Sequence, residues 1–347
     1  MPSSQAIDNE LERVSRRLSG PAWQDRWRWI FLVVFALGAL IAGILLGPVS
    51  VSARDVMRYV TDGFAGNPLV EIRFSRTVLA FFAGAALAAS GAVLQPVFRN
   101  PMADPYLLGS SAGASLSVSL AWLIFGPFLP GWAIPVFGFV GALATSLLVL
   151  VLARLVSGSR TAAILLIGIA VSFFCSALVP VFMVLSGKDL YAILFFLMGS
   201  VQGRPLTFVP VLAVTSTVAV VALALNGRTI DFLQLGEERA LTLGIEAPSR
   251  VLSILALAAF ATGASVAVGG IIGFVGLVCP HLARGIVGER GTRSIVASAF
   301  VGAGLLCLSD VVARLVIAPK ELPLGVVTAL IGSPFLVWTI FRAQGRE

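Results

Sequence analysis

The side chains that could do chemistry in this 347-residue chain are few and far apart. Soft metal ligands are limited to one histidine, His281, and three cysteines, Cys175, Cys279 and Cys307. The cysteines lie far apart in apolar runs and no CxxC occurs, whereas a protein-built zinc or iron–sulfur site takes three or four such ligands at short spacings. No metal site is therefore expected. The cysteines read as small buried residues, and His281, in LVCPHLAR, reads as structural. A nucleotide-hydrolysing P-loop, GxxxxGK[ST], is missing too. The sole Gly–Lys pair is Gly187–Lys188, and Phe182 and Asp189 occupy the positions where the motif needs Gly and Ser/Thr. No catalytic residue and no bound cofactor are assigned. If the chain moves a solute, the energy comes from an ion gradient or from a partner.

An ion-coupled carrier places ionisable groups in mid-membrane. The main acid inside an apolar run is Asp310, and Arg314 follows at i+4 on the same helical face, where the two can pair. That pattern reads first as a structural ion pair and gives ion coupling little support. Two further stretches stand out. LGEERALTLG, residues 235–244, puts Glu237, Glu238 and Arg239 between two apolar runs, bounded by Gly236 and Gly244. QPVFRNPMADPYLLGSSAGAS, residues 95–115, holds Arg99, Asn100, Pro101, Asp104 and Pro105 ahead of a small-residue face. Its prolines prevent a regular helix, and it reads as a tight turn feeding a closely packed helix.

The elements that must position these residues are membrane helices. The composition is 58% hydrophobic and 12% charged, with a mean hydropathy of +0.99. Apolar runs of about 18 residues or more are transmembrane candidates. They fall at 30–47, 77–95, 107–125, 132–152, 161–185, 206–225, 251–268, 271–287, 295–317 and 322–341. The seventh and eighth come from one uncharged stretch, 251–280, too long for a single crossing and divided at Gly269–Gly270. The apolar piece 190–200 is too short to cross and reads as an interfacial or re-entrant helix. The expected fold is an all-α polytopic membrane domain over residues 30–347, preceded by a polar segment, 1–29, with no signal-peptide pattern.

An even number of spans puts both termini on one side. With the N-terminus inside, sixteen of the 24 basic residues fall in inner segments and eight in outer ones, so the positive-inside rule favours N-in and C-in. The net charge of +7 then reflects loop arginines that set topology, and no nucleic-acid partner is expected. In this topology residues 235–244 are cytoplasmic, as a solvated linker helix or as a docking helix; residue chemistry leaves both open. Arg73 and Arg76 fall outside, against the rule.

Taken together, IRFSR (72–76), GAALAASGAVLQPVFRNPMADPYLLGSSAGAS (84–115), LGEERALTLG (235–244), GGIIGFVGLVCPHLAR (269–284) and SDVVARLVIAPKELPLGVVTALIGSPFLVW (309–338) resemble the iron-chelate and vitamin B12 permeases of bacterial ABC importers. The resemblance runs from about residue 30 to the end. It implies a ten-helix, non-catalytic permease subunit of the inner membrane, paired with a second permease, a second copy of this chain in the first reading or a homologous partner in the alternative. Two cytoplasmic ATPase subunits would bind beneath, holding the ATP and magnesium, and a periplasmic or tethered binding protein would deliver substrate. The family's cytoplasmic coupling helix matches Leu235, Gly236, Glu237, Glu238, Arg239, Ala240, Leu241 and Gly244. The arginines that meet acidic residues of the binding protein match Arg73, Arg76 and Arg314, although Phe74–Ser75 stands where Leu–Pro is common. The implied cargo is an iron complex, a ferric siderophore or haem. The alternatives are cobalamin within the same family, or ion-coupled secondary transport.

Overall fold

A computed structural model describes residues 22–64, 66–156, 160–186, 190–234 and 247–344. The segment 235–244 lies outside the described residues. Thirteen α-helices occur among the described residues: α1 (Ala22–Leu45), α2 (Ala53–Thr61), α3 (Pro68–Phe98), α4 (Ser110–Phe125), α5 (Ala133–Arg154), α6 (Arg160–Ser186), α7 (Leu190–Met198), α8 (Phe208–Leu225), α9 (Gly227–Gln234), α10 (Ala247–Gly269), α11 (Val275–Val287), α12 (Gly291–Leu315) and α13 (Leu324–Gln344). Eight are long and apolar enough to cross a membrane; α11 and the stretch Leu324–Thr339 of α13 are apolar but shorter. All ten expected spans are thus helical, and the short piece after the fifth forms α7. The division of the long uncharged stretch also falls where the glycine pair is, since α10 ends at Gly269 and Gly270 takes a φ of 66°.

The helices sort into an inner set and an outer set. α3, α10 and α12 are mostly buried, whereas α1, α4, α5, α6 and α8 leave large apolar side chains such as Val34, Phe173 and Val214 exposed. In a bilayer those side chains face lipid, which solvates them as well as a protein interior would. α3 is the axis and packs against α12, α10, α8 and α11. Its close approaches depend on missing side chains. A Cβ on Gly84 would overlap the Gly302 carbonyl of α12, and one on Gly91 would overlap the Gly276 carbonyl of α11. Hydroxyls tie helices to α3: Ser216 Oγ of the outer α8 donates to Phe82 O (2.8 Å), Ser265 Oγ of α10 donates to Ala83 O (3.1 Å), and Ser90 Oγ of α3 itself donates to Ala258 O of α10 (3.1 Å). With no water to compete, such bonds join helices that hydrophobicity alone would not hold together.

Two elements differ from the sequence-based expectation. α3 begins at Pro68, nine residues before the apolar run does, because Asn67 caps it: its side chain accepts from the Leu69 (3.1 Å) and Val70 (3.3 Å) amides, and Pro68 suits the first turn. Arg73 and Arg76, expected in an outer loop, are therefore inside a helix. The connector before it folds into α2, which opens on a capping box in which the Ser52 hydroxyl accepts from the Asp55 amide (3.2 Å) and the Asp55 carboxylate accepts from the Ser52 amide (3.0 Å).

Candidate functional site

The early turns of α3 and the last turns of α12 meet at one end of the bundle, and there the charged residues singled out in the sequence come together. Arg76 Nε lies 2.6 Å from Asp310 Oδ1, and Arg76 Nη1 lies 2.6 Å from Glu321 Oε2. Arg314 Nη2 sits 3.1 Å from Asp310 Oδ2 and donates to Gly43 O (2.8 Å) near the end of α1. Arg73 Nη1 donates to Leu45 O (3.2 Å) and its Nη2 to Val49 O. Arg73, Arg76 and Arg314 are each 3–6% exposed and Asp310 is fully buried. The expected Asp310–Arg314 pair is present, and Arg76 joins it from 234 residues away. Three guanidiniums against two carboxylates leave the cluster net positive, and Arg314 Nη1 has no hydrogen-bond acceptor among the described residues. The arginines thus hold α1, α3, α12 and the following loop together with their charged heads turned inward. Buried ions require this kind of mutual pairing and carbonyl solvation.

The loop after α3 lies at the other end of that helix, about 35 Å from Arg76 at 1.5 Å per residue. Arg99 ends α3 in the left-handed region, its amide bonding back to the Gln95 and Pro96 carbonyls. Asn100 Oδ1 accepts from the Met102 amide (2.9 Å), and Asp104 Oδ1 accepts from the Tyr106 amide (2.9 Å), capping a 3-10 turn at Pro105–Leu108. Burial pushes the Asp104 carboxyl up to about 6. The turn delivers Tyr106 to the break between α10 and α11, where its hydroxyl accepts from the Ile272 amide (2.9 Å) and donates to the Ile272 carbonyl (3.0 Å). The same break is tied to α7 by Ser200 N to Gly269 O (2.7 Å) and Ile271 N to Phe196 O (3.2 Å). The turn is shorter than the expected 95–115, because α3 runs through Pro96 to Phe98 and α4 starts at Ser110, and what remains between them supports the broken helix.

At this end a cavity of about 300 Å³ lies between Gln95, Arg99, Asn100, Arg284 and Ser294. Gln95 donates to the Gly276 (3.3 Å) and Leu277 (3.2 Å) carbonyls and accepts from Arg284. Asp231 of α9 accepts from the Gly291 amide (2.7 Å) at the start of α12, and Arg293 pairs with Asp25 at 2.9 Å. The last described residues before segment 235–244 are therefore on the same end as the Arg99 loop and the start of α1. His281 stacks edge-on against Phe335, with ring centroids 5.7 Å apart. The three cysteines are buried and unpaired with one another. Sequence reasoning passed over Glu321, Gln95, Arg284 and Asp231, because each acquires its role from a residue distant in the chain.

A bundle of this kind, all-helical, crossing a membrane about ten times and folded around an inner helix with a charged cluster at one end, is a polytopic transport domain. Residues 31–342 match the FecCD transport family, and the chain belongs to it. It is 38% identical over 320 residues to the hemin transport system permease protein HmuU of Yersinia pestis, covering 91% of this chain and 94% of that one. It is 37% identical over 320 residues to the Fe(3+) dicitrate transport system permease protein FecD of Escherichia coli (strain K12), covering 91% and 98%. A solved inward-facing conformation of a metal-chelate type ABC transporter superposes with a TM-score of 0.78 at 28% identity, covering 91% of this chain and 99% of that one. The chain is a multi-pass inner-membrane permease of the ABC importer type and a non-catalytic subunit.

Proposed function

We propose that this permease carries an iron complex, a ferric siderophore or haem, into the cytoplasm, with both of its termini inside. The observation that supports the reading is its near full-length similarity to permeases for hemin and for Fe(3+) dicitrate; vitamin B12 permeases are as similar, at 37% identity, which makes cobalamin the second reading. Two copies face each other across the pathway, two partner ATPases hold ATP and magnesium, and a binding protein delivers the cargo. Residues 235–244 are the coupling segment, with Glu238 and Leu241 meeting the ATPase. The position of α9 and the Arg99 loop at one end of the bundle supports this, since the segment starts there.

Docking of the binding protein falls at the opposite end, around Arg73, Arg76 and Arg314. The excess positive charge of that cluster supports it through its field: the guanidiniums themselves are buried, and an acidic surface arriving from outside is drawn to the net charge that Asp310 and Glu321 leave uncompensated.

The test is reconstitution of the chain with its ATPase and binding protein in liposomes. Uptake of a ferric chelate or haem that requires ATP and survives collapse of ion gradients is the expected result. Uptake by the chain alone under a proton gradient, or ATP-driven uptake confined to cobalamin, overturns it. Glu238→Lys or Leu241→Trp should lower substrate-stimulated ATP hydrolysis while the chain still inserts. Charge removal at Arg73 and Arg76 should weaken binding-protein association, more at low salt than at high.

A further inference from the structure

Outside the charged cluster described above, one half-buried cation beside a cavity meets a backbone carbonyl and, among the described residues, no carboxylate. Arg204 lies in the segment between α7 and α8. Its Nε donates to Val268 O (2.9 Å) at the end of α10, and its own carbonyl accepts from Ser75 Oγ (2.9 Å) of α3. No carboxylate comes within ion-pair distance of it among the described residues, in contrast to Arg76, Arg293 and Arg314. Burial pulls its guanidinium below the ordinary arginine value, with no opposing charge to restore it. A desolvated cation that one carbonyl partly satisfies is costly, and sites that carry such a group are commonly completed by a ligand.

The space around Arg204 suits a ligand. Two cavities share it as a lining residue, one of about 200 Å³ and one of about 430 Å³. The smaller also has Glu71 and Arg76 on its wall. In the larger, Arg204 is the one charged lining residue, facing an aromatic and aliphatic wall of Phe195, Phe196 and Ile134 with Ser200 and Gln202 beside it. This size and this mixture of apolar wall and few polar groups are those of a small-molecule site. The cavity is at the Arg76 end of the bundle, which is the receiving end in the topology proposed above.

We infer that Arg204 is a specificity-determining residue, which holds a carboxylate of an anionic chelate against the Phe195–Phe196 wall as the cargo enters the permease. The inference rests on the importer reading, and it narrows the cargo to chelates with free carboxylates. A guanidinium suits the task because its planar fork binds a carboxylate through two parallel hydrogen bonds.

The full-length permease in lipid nanodiscs would be titrated with two probes that carry carboxylates, hemin and Fe(3+) dicitrate. Two probes without a free carboxylate, hemin dimethyl ester and vitamin B12, would be titrated beside them. The expected result is that at least one carboxylate probe binds about ten-fold or more tightly than its uncharged counterparts. Arg204→Gln should erase that preference, and Arg204→Lys, which keeps the charge, should retain part of it. A wild type with no preference for either carboxylate probe, non-binding included, overturns the inference without reference to any variant. So does an Arg204→Gln permease that keeps the wild-type preference. ATP-driven uptake of vitamin B12 without the carboxylate preference would leave the importer class standing and remove Arg204's role. The carboxylate preference without ATP-driven uptake would do the reverse.

Discussion

Arg76 and Asp310 meet at 2.6 Å in a place where neither is more than 6% exposed, and Asp310 holds Arg314 on its other oxygen at 3.1 Å. One carboxylate thus sets the spacing of α3 and α12 at one end of the bundle and shares its charge between two helices. An acid within a span could have been a proton site; here it is a clamp.

Asp310→Ala leaves two guanidiniums buried with Glu321 as their remaining acid. Breaking a buried pair from one side costs about 3–5 kcal/mol, whereas replacing both partners by apolar residues can be neutral. The single variant should melt well below wild type in detergent, and Arg76→Met combined with Asp310→Leu should recover part of the loss, since Arg314 still lacks its acid and Glu321 its base. A single variant that melts with wild type would remove the clamp.

Gly91→Val should prevent accumulation of folded protein, because the added side chain has to occupy the position of the Gly276 carbonyl and backbone cannot give way as a side-chain tip can. Gly38→Ala, where a Cβ meets nothing within 4 Å, should fold at least as well as wild type, given an alanine advantage in helices of about 1 kcal/mol. Fluorescence-detected size exclusion separates the two outcomes, and equal monodisperse peaks would contradict the packing argument.

Tyr106→Phe removes both bonds to Ile272 and leaves a buried amide and carbonyl without partners, a cost of about 1–3 kcal/mol. Hydrogen exchange at the Ile272 amide should quicken by more than at α12 amides. Uniform exchange across the break would show that the phenol is not its support.

Asp104 gives the fold a pH dependence. Its carboxyl is raised in the folded chain from 3.8 to about 6, so folding favours the protonated form. The contribution is fully present below about pH 4 and is lost as pH rises through about 6. Asp104→Asn keeps the acceptor that caps Tyr106 N–H and carries no charge. Its stability relative to wild type should therefore improve between pH 4 and 7, by on the order of 2 kcal/mol. Parallel melting curves across that range would reject the assignment.

Much of the fold could be read from periodicity and breakers. Apolar runs mark all ten spans, and Gly269–Gly270 marks the break. Hydropathy erred at the start of α3, because Arg73 and Arg76 end an apolar window while the helix continues to its Asn67–Pro68 cap. That cap, and the Ser52–Asp55 capping box of α2, were readable as local signals. The site was legible only where partners are close in sequence. Asp310 and Arg314 are one turn apart and could be paired by inspection. Arg76, Glu321 and Gln95 take their meaning from residues some 180 to 245 positions away. Arg204 could not be recognised as an unpaired cation until the cavity around it was known.

The break at residues 270–274 has one more consequence. Its backbone groups bond to Tyr106 and Phe196, and Ser200 bonds to the adjoining end of α10 at Gly269. The inner helices beside it are locked by carbonyls seated on glycines. Along this bundle the same kind of seat ties α3 to α12 and to α11, and α10 meets that unit at the joint. The joint is carried sideways by α7 from one end of the bundle and by the Pro105–Leu108 turn from the other, so a push at either end reaches the same five residues.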